Sequence, residues 1–294
     1  MKRKAGKTLA AAFALAAALS GCGGAQTEQE TKDKAVLAVS FGTSYEDSRE
    51  KTIGAVETAL QTAFPDYEVR RAFTSQTIID ILAERDDIQI DNVTEALEQA
   101  VADGIETLVV QPTHLMSGYE YMDLAKELTE YKDSFIQVAL AKPLLSGEAD
   151  FDAVAEAIVA DTAAYAQEGT AICFMGHGTE ADANGVYEKL QEVLREKGHE
   201  NYFIGTVEAE PSFEDVLAGI KAGGYTRVVL QPLMLVAGDH ANQDMAGDGE
   251  DSWKTWFTKE GYEVECVIRG LGEIPAIQEL YITHTQAAVD SLEE

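Results

Sequence analysis

An apolar run closed by a Gln-Pro turn occurs twice in this chain. Val109-Val110-Gln111-Pro112 is followed by Leu115-Met116-Ser117-Gly118, and Val229-Leu230-Gln231-Pro232 by Leu235-Val236-Ala237-Gly238. Two further matches stand in the same order before it. Ala35-Val36-Leu37-Ala38-Val39-Ser40-Phe41-Gly42-Thr43 pairs with Ala171-Ile172-Cys173-Phe174-Met175-Gly176-His177-Gly178-Thr179, and the run ending Arg71-Ala72-Phe73 pairs with the run ending Thr206-Val207-Glu208. Three ordered matches require a chain built twice on one plan. The third match has a shorter spacing than the first two. The first half therefore carries roughly fifteen extra residues, and the charged segment Ala83 to Glu98 is the expected place for them.

Each repeat alternates short apolar runs with amphipathic stretches. Strands are predicted at 35–41, 67–73, 107–111 and 135–139, then at 170–176, 202–207, 227–231 and 262–267. Helices are predicted at 44–63, 91–103, 151–167, 184–197 and 212–222, among others. The strands are apolar almost throughout, as parallel strands covered on both faces are. The fold class is α/β: two similar doubly wound lobes, 35–145 and 146–294, with a cleft between them. Ligands of open α/β sheets sit beyond the carboxyl ends of the strands, so residues just after the strands are the site candidates.

The chain's start carries its own signal. Lys2, Arg3, Lys4 and Lys7 precede an Ala/Leu-rich run that ends in Leu19-Ser20-Gly21-Cys22. Residues 1–21 read as a secretory signal, and the residues before the Cys resemble a bacterial lipobox. Cys22 is then the lipidated N-terminus, and the polar stretch 22–34 a flexible tether. The expected location is extracytoplasmic, lipid-anchored to a bacterial membrane. An ordinary signal peptide with a chance Cys is the plainer alternative.

The formal net charge is −30, and the four leader cations leave with the leader. Such a surface repels nucleic acid and attracts cations. No CxxC is present, so no thiolate zinc site is expected. Cys173 and Cys266 lie in apolar and alternating runs and are expected to be free buried thiols.

Comparison of the repeats exposes the chemistry. After its first strand the second half has His177 where the first has Phe41. After the second strand it has Glu208 against Phe73, and after the Gln-Pro turn His240 against Glu120. Two imidazoles and a carboxylate at three strand ends suit Co²⁺, Fe²⁺, Ni²⁺ or Zn²⁺ and leave coordination positions open. Glu210 is the alternative carboxylate, and a structural turn the alternative for Gly176-His177-Gly178. Asp239 or Asp244 is placed to orient the His240 ring. His114 follows a strand end and is a candidate substrate contact, with Tyr119 and Glu120 beside it. Phe41, Phe73 and Met116 are candidates for an apolar wall, with core packing as the alternative. His199 reads as a solvated turn residue and His284 as structural or surface.

The run Leu233-Met234-Leu235-Val236-Ala237-Gly238-Asp239-His240-Ala241-Asn242-Gln243-Asp244-Met245, with Asp251-Ser252-Trp253-Lys254 after it, closely resembles the anaerobic cobaltochelatases of cobalamin biosynthesis. So do Met175-Gly176-His177-Gly178, Gly205-Thr206-Val207-Glu208, Ser40-Phe41-Gly42-Thr43-Ser44, Gln111-Pro112-Thr113-His114 and Gly270-Leu271-Gly272-Glu273. The likeness runs from about Lys34 to the C-terminus. It implies the class II chelatase fold, two α/β lobes around a tetrapyrrole cleft. It also implies metal ligation by His177, Glu208 and His240, and insertion of Co²⁺ into sirohydrochlorin as a lyase reaction with no nucleotide. His177 is the expected catalytic proton acceptor. Arg70, Arg71, Lys142, Lys254 and Arg269 are candidate countercharges for the substrate's carboxylates. The alternative function is an extracytoplasmic carrier of a metal or of haem that feeds a transporter. A scaffold without ligand is a third reading, and a homo-oligomer is compatible with each.

Overall fold

The structure, a computed structural model, describes residues 32–293. The expected signal peptide, Cys22 and most of the tether lie outside the described residues. The end of the tether is docked on the body. Lys32 Nζ donates to the carbonyls of Pro65 (2.7 Å) and Tyr67 (2.9 Å), and Lys34 opens the first strand.

The first half runs β1 (Lys34–Ser40), α1 (Glu46–Arg49), a π-helical turn (Glu50–Gly54), α2 (Ala55–Ala63), β2 (Glu68–Phe73), α3 (Gln76–Asp86), α4 (Val93–Ala102), β3 (Thr107–Pro112), α5 (Tyr119–Tyr131) and β4 (Gln137–Leu140). The second runs α6 (Glu148–Thr162), β5 (Thr170–Gly176), α7 (Val186–Glu196), β6 (Tyr202–Thr206), α8 (Phe213–Gly223), β7 (Arg227–Pro232), α9 (Trp253–Lys259), β8 (Glu263–Cys266) and α10 (Pro275–Asp290). Each half forms a four-stranded sheet, in the orders β2-β1-β3-β4 and β6-β5-β7-β8. Every pairing is parallel. The eight strands are those expected, and the two sheets repeat one topology.

Both faces of each sheet are covered, which is why the central strands are apolar throughout. Ala35, Leu37 and Val39 of β1 pack outward with Leu97 of α4 and Leu124 of α5. Val36 and Ala38 face the other way, into a core shared by both halves. That core joins Val109 of the first sheet to Ile172, Phe174 and Val229 of the second, through Leu60, Val154, Leu190 and Tyr281 of the intervening helices. The outer face of the second sheet has its own cluster, with Phe213, Trp253 and Phe257 stacked edge to face. Cys173 is buried there and Cys266 half-buried, both as free thiols.

The last helix crosses back. α10 begins at Pro275, where a missing N–H costs nothing, and packs on α2, α6, β3 and β4. Tyr281 Oη donates to the Thr113 carbonyl (2.8 Å), and Thr285 Oγ1 donates to Gln111 Oε1 (2.8 Å). The first Gln-Pro turn is thus fixed by the C-terminal helix. His284 is structural: its ring bridges Asp150 Oδ1 (3.1 Å) and the Lys142 carbonyl (3.3 Å).

The extra residues of the first half form a whole helix. Between its second and third strands the second half has α8, capped by Ser212 and Asp215. The first half has α4, capped in the same manner by Asn92 and Glu95, and α3 before it. The insertion is therefore α3 with the following loop, earlier than the expected Ala83 to Glu98. The charges that marked that segment belong to the end of α3, which stops at Asp87 in a left-handed conformation (φ 56°).

Candidate metal centre

Three strand ends of the second sheet converge on one point. His177 is the residue after β5, Glu208 lies two residues past β6, and His240 precedes a short π-helical turn, Ala241–Met245. One ligand-capable atom from each lies within 4.8 Å of those of the other two. The imidazoles meet edge to face with centroids 4.6 Å apart, and His177 Nδ1 is 3.8 Å from Glu208 Oε2. Glu210, the alternative carboxylate, instead accepts from the Ser212 N–H (2.8 Å) at the start of α8.

The hydrogen bonds set the tautomers. His177 Nδ1 lies 2.8 Å from the Gly178 carbonyl, which can only accept, so Nδ1 carries the proton and Nε2 keeps a lone pair. His240 Nδ1 donates to Asp244 Oδ2 at 2.6 Å, with the same result. A carboxylate behind an imidazole fixes the ring and raises its basicity as a ligand. Asp239 does something else: it accepts from Tyr45 Oη (3.1 Å), across the cleft.

The glycines around His177 are packing requirements. A Cβ at Gly176 would lie 2.2 Å from the Tyr187 ring. Gly178 has φ +89°, and a Cβ there would lie 2.8 Å from the Ala209 nitrogen. His177 is thereby wedged between Tyr187 and the loop that carries Glu208. Burial pushes the Tyr187 hydroxyl up to about 12, so it stays neutral and accepts from the Gly178 N–H (3.2 Å).

His177 and His240 open on a cavity of about 270 Å³ at the strand ends of both halves, lined on its other side by Phe41, His114, Met116 and Glu120. Its walls are mainly apolar. Among the described residues neither ring nitrogen of His114 has a partner, and both are shut off from solvent. That burial lowers its pKa to about 4, against a small opposing effect of Glu120. His114 is a neutral imidazole with unmet hydrogen-bonding capacity in the cavity wall.

Two expected substrate contacts stand elsewhere. Phe73 is fully buried with Ile53, Ile79 and Leu82, beneath Gly42, and does not line the cavity. The backbone gives the reason. Val207 and Glu208 donate to the carbonyls of Gly176 and His177, as Thr74 and Ser75 donate to those of Ser40 and Phe41. The counterpart of Glu208 is therefore Ser75, and Phe73 corresponds to Thr206, which is also buried. Tyr119 is exposed and outside the lining. Ser75 serves the inserted helix, its Oγ accepting from the Ile78 N–H (3.4 Å).

The expected countercharges are also elsewhere. Arg70 pairs with Glu68 and Asp103, Arg71 with Glu57, Lys254 with Asp248 and Arg269 with Asp161. None of these, nor Lys142, lines the cavity.

Sequence reading missed four participants. Ile78 comes from α3, and Tyr187 packs behind His177. Tyr45 and Ser48 tie the first half to the His240 loop, the latter by accepting from the Ala237 N–H (2.9 Å). The repeat matched the halves only to Thr43 and Thr179, two residues short of Tyr45.

Comparison with known proteins gives matches in both sequence and fold. Residues 34–290 match the family model described as cobalt chelatase (CbiK). The chain is 37% identical over 257 residues to the sirohydrochlorin cobaltochelatase of Salmonella typhimurium, covering 87% of this chain and 97% of that protein. It is 31% identical over 263 residues to the sirohydrochlorin cobaltochelatase CbiKC of Nitratidesulfovibrio vulgaris, covering 89% and 92%. Among solved structures, SirB from Bacillus subtilis with Fe³⁺ shares the fold at a TM-score of 0.60 and 13% identity, over 89% of this chain and 98% of that one.

Proposed function

The chain belongs to the CbiK cobalt chelatase family, and from that premise we propose that it inserts Co²⁺ into sirohydrochlorin without a nucleotide, using His177, Glu208 and His240 as the metal's ligands. The observation that carries the reading is the convergence of these three side chains from three strand ends, with His177 and His240 in the wall of one cavity. Two imidazole nitrogens and a carboxylate leave part of the metal's coordination sphere open. A metal so held can gain macrocycle nitrogens before it loses protein ligands. The same donors accept Fe²⁺, Ni²⁺ or Zn²⁺.

The macrocycle docks against Phe41, His114 and Glu120, opposite the bound ion. Insertion exchanges one Co²⁺ for the two pyrrole protons of the free base. As the metal leaves His177, its Nε2 lone pair becomes free to accept one of them, at a ring whose other nitrogen is held by the Gly178 carbonyl. The second proton leaves through Glu120 or water at the cavity mouth. With Asp244 behind it, His240 keeps its aim while the coordination sphere changes.

Residues 1–22 support an anchored location, with the lipid on Cys22. Labelling of cells with an alkyne fatty acid checks this: the label should enter the protein and be lost in Cys22→Ala. The activity is checked by anaerobic incubation of residues 23–294 with sirohydrochlorin and Co²⁺, without ATP, following the macrocycle's absorption. Multiple turnovers are expected. Retention of metal or haem at one equivalent without turnover would replace this reading with the carrier.

A further inference from the structure

Of the three donors, Glu208 stands on the most exposed ground. Its N–H donates to the His177 carbonyl (2.9 Å), and its side chain is 57% exposed. Beyond it the chain turns over Ala209, Glu210 and Pro211 to the start of α8, folded back by the Thr206 N–H, which donates to the Pro211 carbonyl (2.7 Å). The carboxylate stays within reach of the two imidazoles only while this loop keeps its place.

Asn184 fastens the loop from outside. It stands in a short 3₁₀ turn, Asp182–Gly185, just before α7. Its Oδ1 accepts from the Thr179 N–H (3.0 Å), two residues past His177, and its Nδ2 donates to the Glu210 carbonyl (2.6 Å), two residues past Glu208. An N–H can only donate and a carbonyl only accept, so one orientation of the amide serves both. A single side chain thus ties together two loops, each at the same remove from a donor. It does so outside the cavity, in a separate groove that it lines with Glu188, Arg195 and Asp215.

The first half uses the same position to the same end. Thr43 Oγ1 accepts from the Tyr45 N–H, and Thr179 Oγ1 from the Ala181 N–H, both at 3.2 Å. That register sets α1 (Glu46–Arg49) against the 3₁₀ turn, and Ser48 against Asn184. Ser48 Oγ accepts from the Ala237 N–H, three residues before His240. Equivalent positions of the two halves therefore fasten the loops of all three donors, Ser48 that of His240 and Asn184 those of His177 and Glu208.

We infer that Asn184 is a positioning residue for the metal. Given the ligand set proposed above, on which this rests, it fixes the separation of the two loops and so holds the Glu208 carboxylate beside the imidazoles. His177 is wedged independently by Tyr187, so the loss of Asn184 falls on Glu208. Removing an outer hydrogen bond of this kind weakens a metal site by about 10- to 100-fold.

The test is a set of Co²⁺ titrations read by d–d absorption, with urea unfolding beside them. In Asn184→Ala the Kd should rise by about tenfold or more, the spectrum should move toward that of Glu208→Ala, and the urea midpoint should stay near the wild-type value. Asn184→Leu, which fills the same space without either hydrogen bond, should match Asn184→Ala. Added to Glu208→Ala, Asn184→Ala should change the Kd by less than about twofold, because its effect runs through the carboxylate. A wild-type Kd and spectrum in Asn184→Leu would overturn the inference and leave the ligand set standing, as would a full loss on top of Glu208→Ala. A wild type that binds no Co²⁺ would overturn the ligand set itself, and the inference with it.

Discussion

The two halves share a strand order, a buried Gln-Pro pair at the end of the third strand and a left-handed glycine after the first, Gly42 and Gly178. They differ in what stands at the strand ends. The second half has His177, Glu208 and His240 there, and the first has Phe41, Ser75 and Glu120. One frame thus brings three potential metal donors together in one copy, and places an aromatic, a helix cap and a carboxylate in the other. In the function proposed above, this division gives metal handling to the second half and contact with the organic partner to the first. A duplicated scaffold allows this because the sheet frame depends on buried alternation, while residues just past the strands are free to differ.

The sharpest way to break the comparison is to remove a donor from each half. His177→Ala or His240→Ala should lower kcat/KM for cobalt insertion by more than about a thousandfold, over about 4 kcal/mol of transition-state stabilisation. Far-UV circular dichroism should be unchanged. Glu120→Ala should cost far less, about tenfold. Equal losses in both halves would end the division of labour.

The next effect is on stability. Phe73→Ala should destabilise the fold by about 3–5 kcal/mol, read in urea unfolding, because it empties a buried site among Ile53, Ile79 and Leu82. Phe41→Ala, at a side chain half open to the cavity, should leave stability within about 0.5 kcal/mol and raise KM. Asp244→Asn probes the support behind the metal. It should weaken Co²⁺ binding by about 10- to 100-fold in a metal titration, with little change in unfolding.

A pH dependence is expected as well. His114 has a folded pKa of about 4, below its ordinary 6.5, because burial disfavours its charged form. Its stabilising contribution is therefore complete above pH 6.5 and is lost as the pH falls toward 4. Between pH 7 and 5, the wild type should lose about 2 kcal/mol more than His114→Asn. Parallel losses would mean that the ring finds a partner when protonated.

Much of this was legible in the residues. The eight strands follow from apolar runs, and the triad follows from setting one repeat against the other. Glu208 was matched to Phe73 because the runs around them look alike, while the backbone hydrogen bonds set Glu208 opposite Ser75. A two-residue slip keeps the pleat's alternation intact, so hydrophobic pattern alone could not detect it. The return of α10 to the first half was equally hidden. Its buried side chains, Ile277, Tyr281 and His284 among them, mark a packed face but not the partner of that face. Tyr45 and Ser48 act across the cleft, and no local pattern reports a contact between residues so far apart in sequence. That no Lys or Arg among the described residues lines the cavity needed the structure, because the sequence names the candidate cations but not where they pair.

The central claim is that the metal belongs to the second half alone, and a Co²⁺ titration followed by d–d absorption reaches it most directly. The account predicts one equivalent bound, with a spectrum of mixed imidazole and carboxylate ligation. That signal should vanish in His177→Ala and in His240→Ala and persist unchanged in Glu120→Ala. A spectrum that survives the loss of either His, or that depends on Glu120 as much as on them, would contradict it.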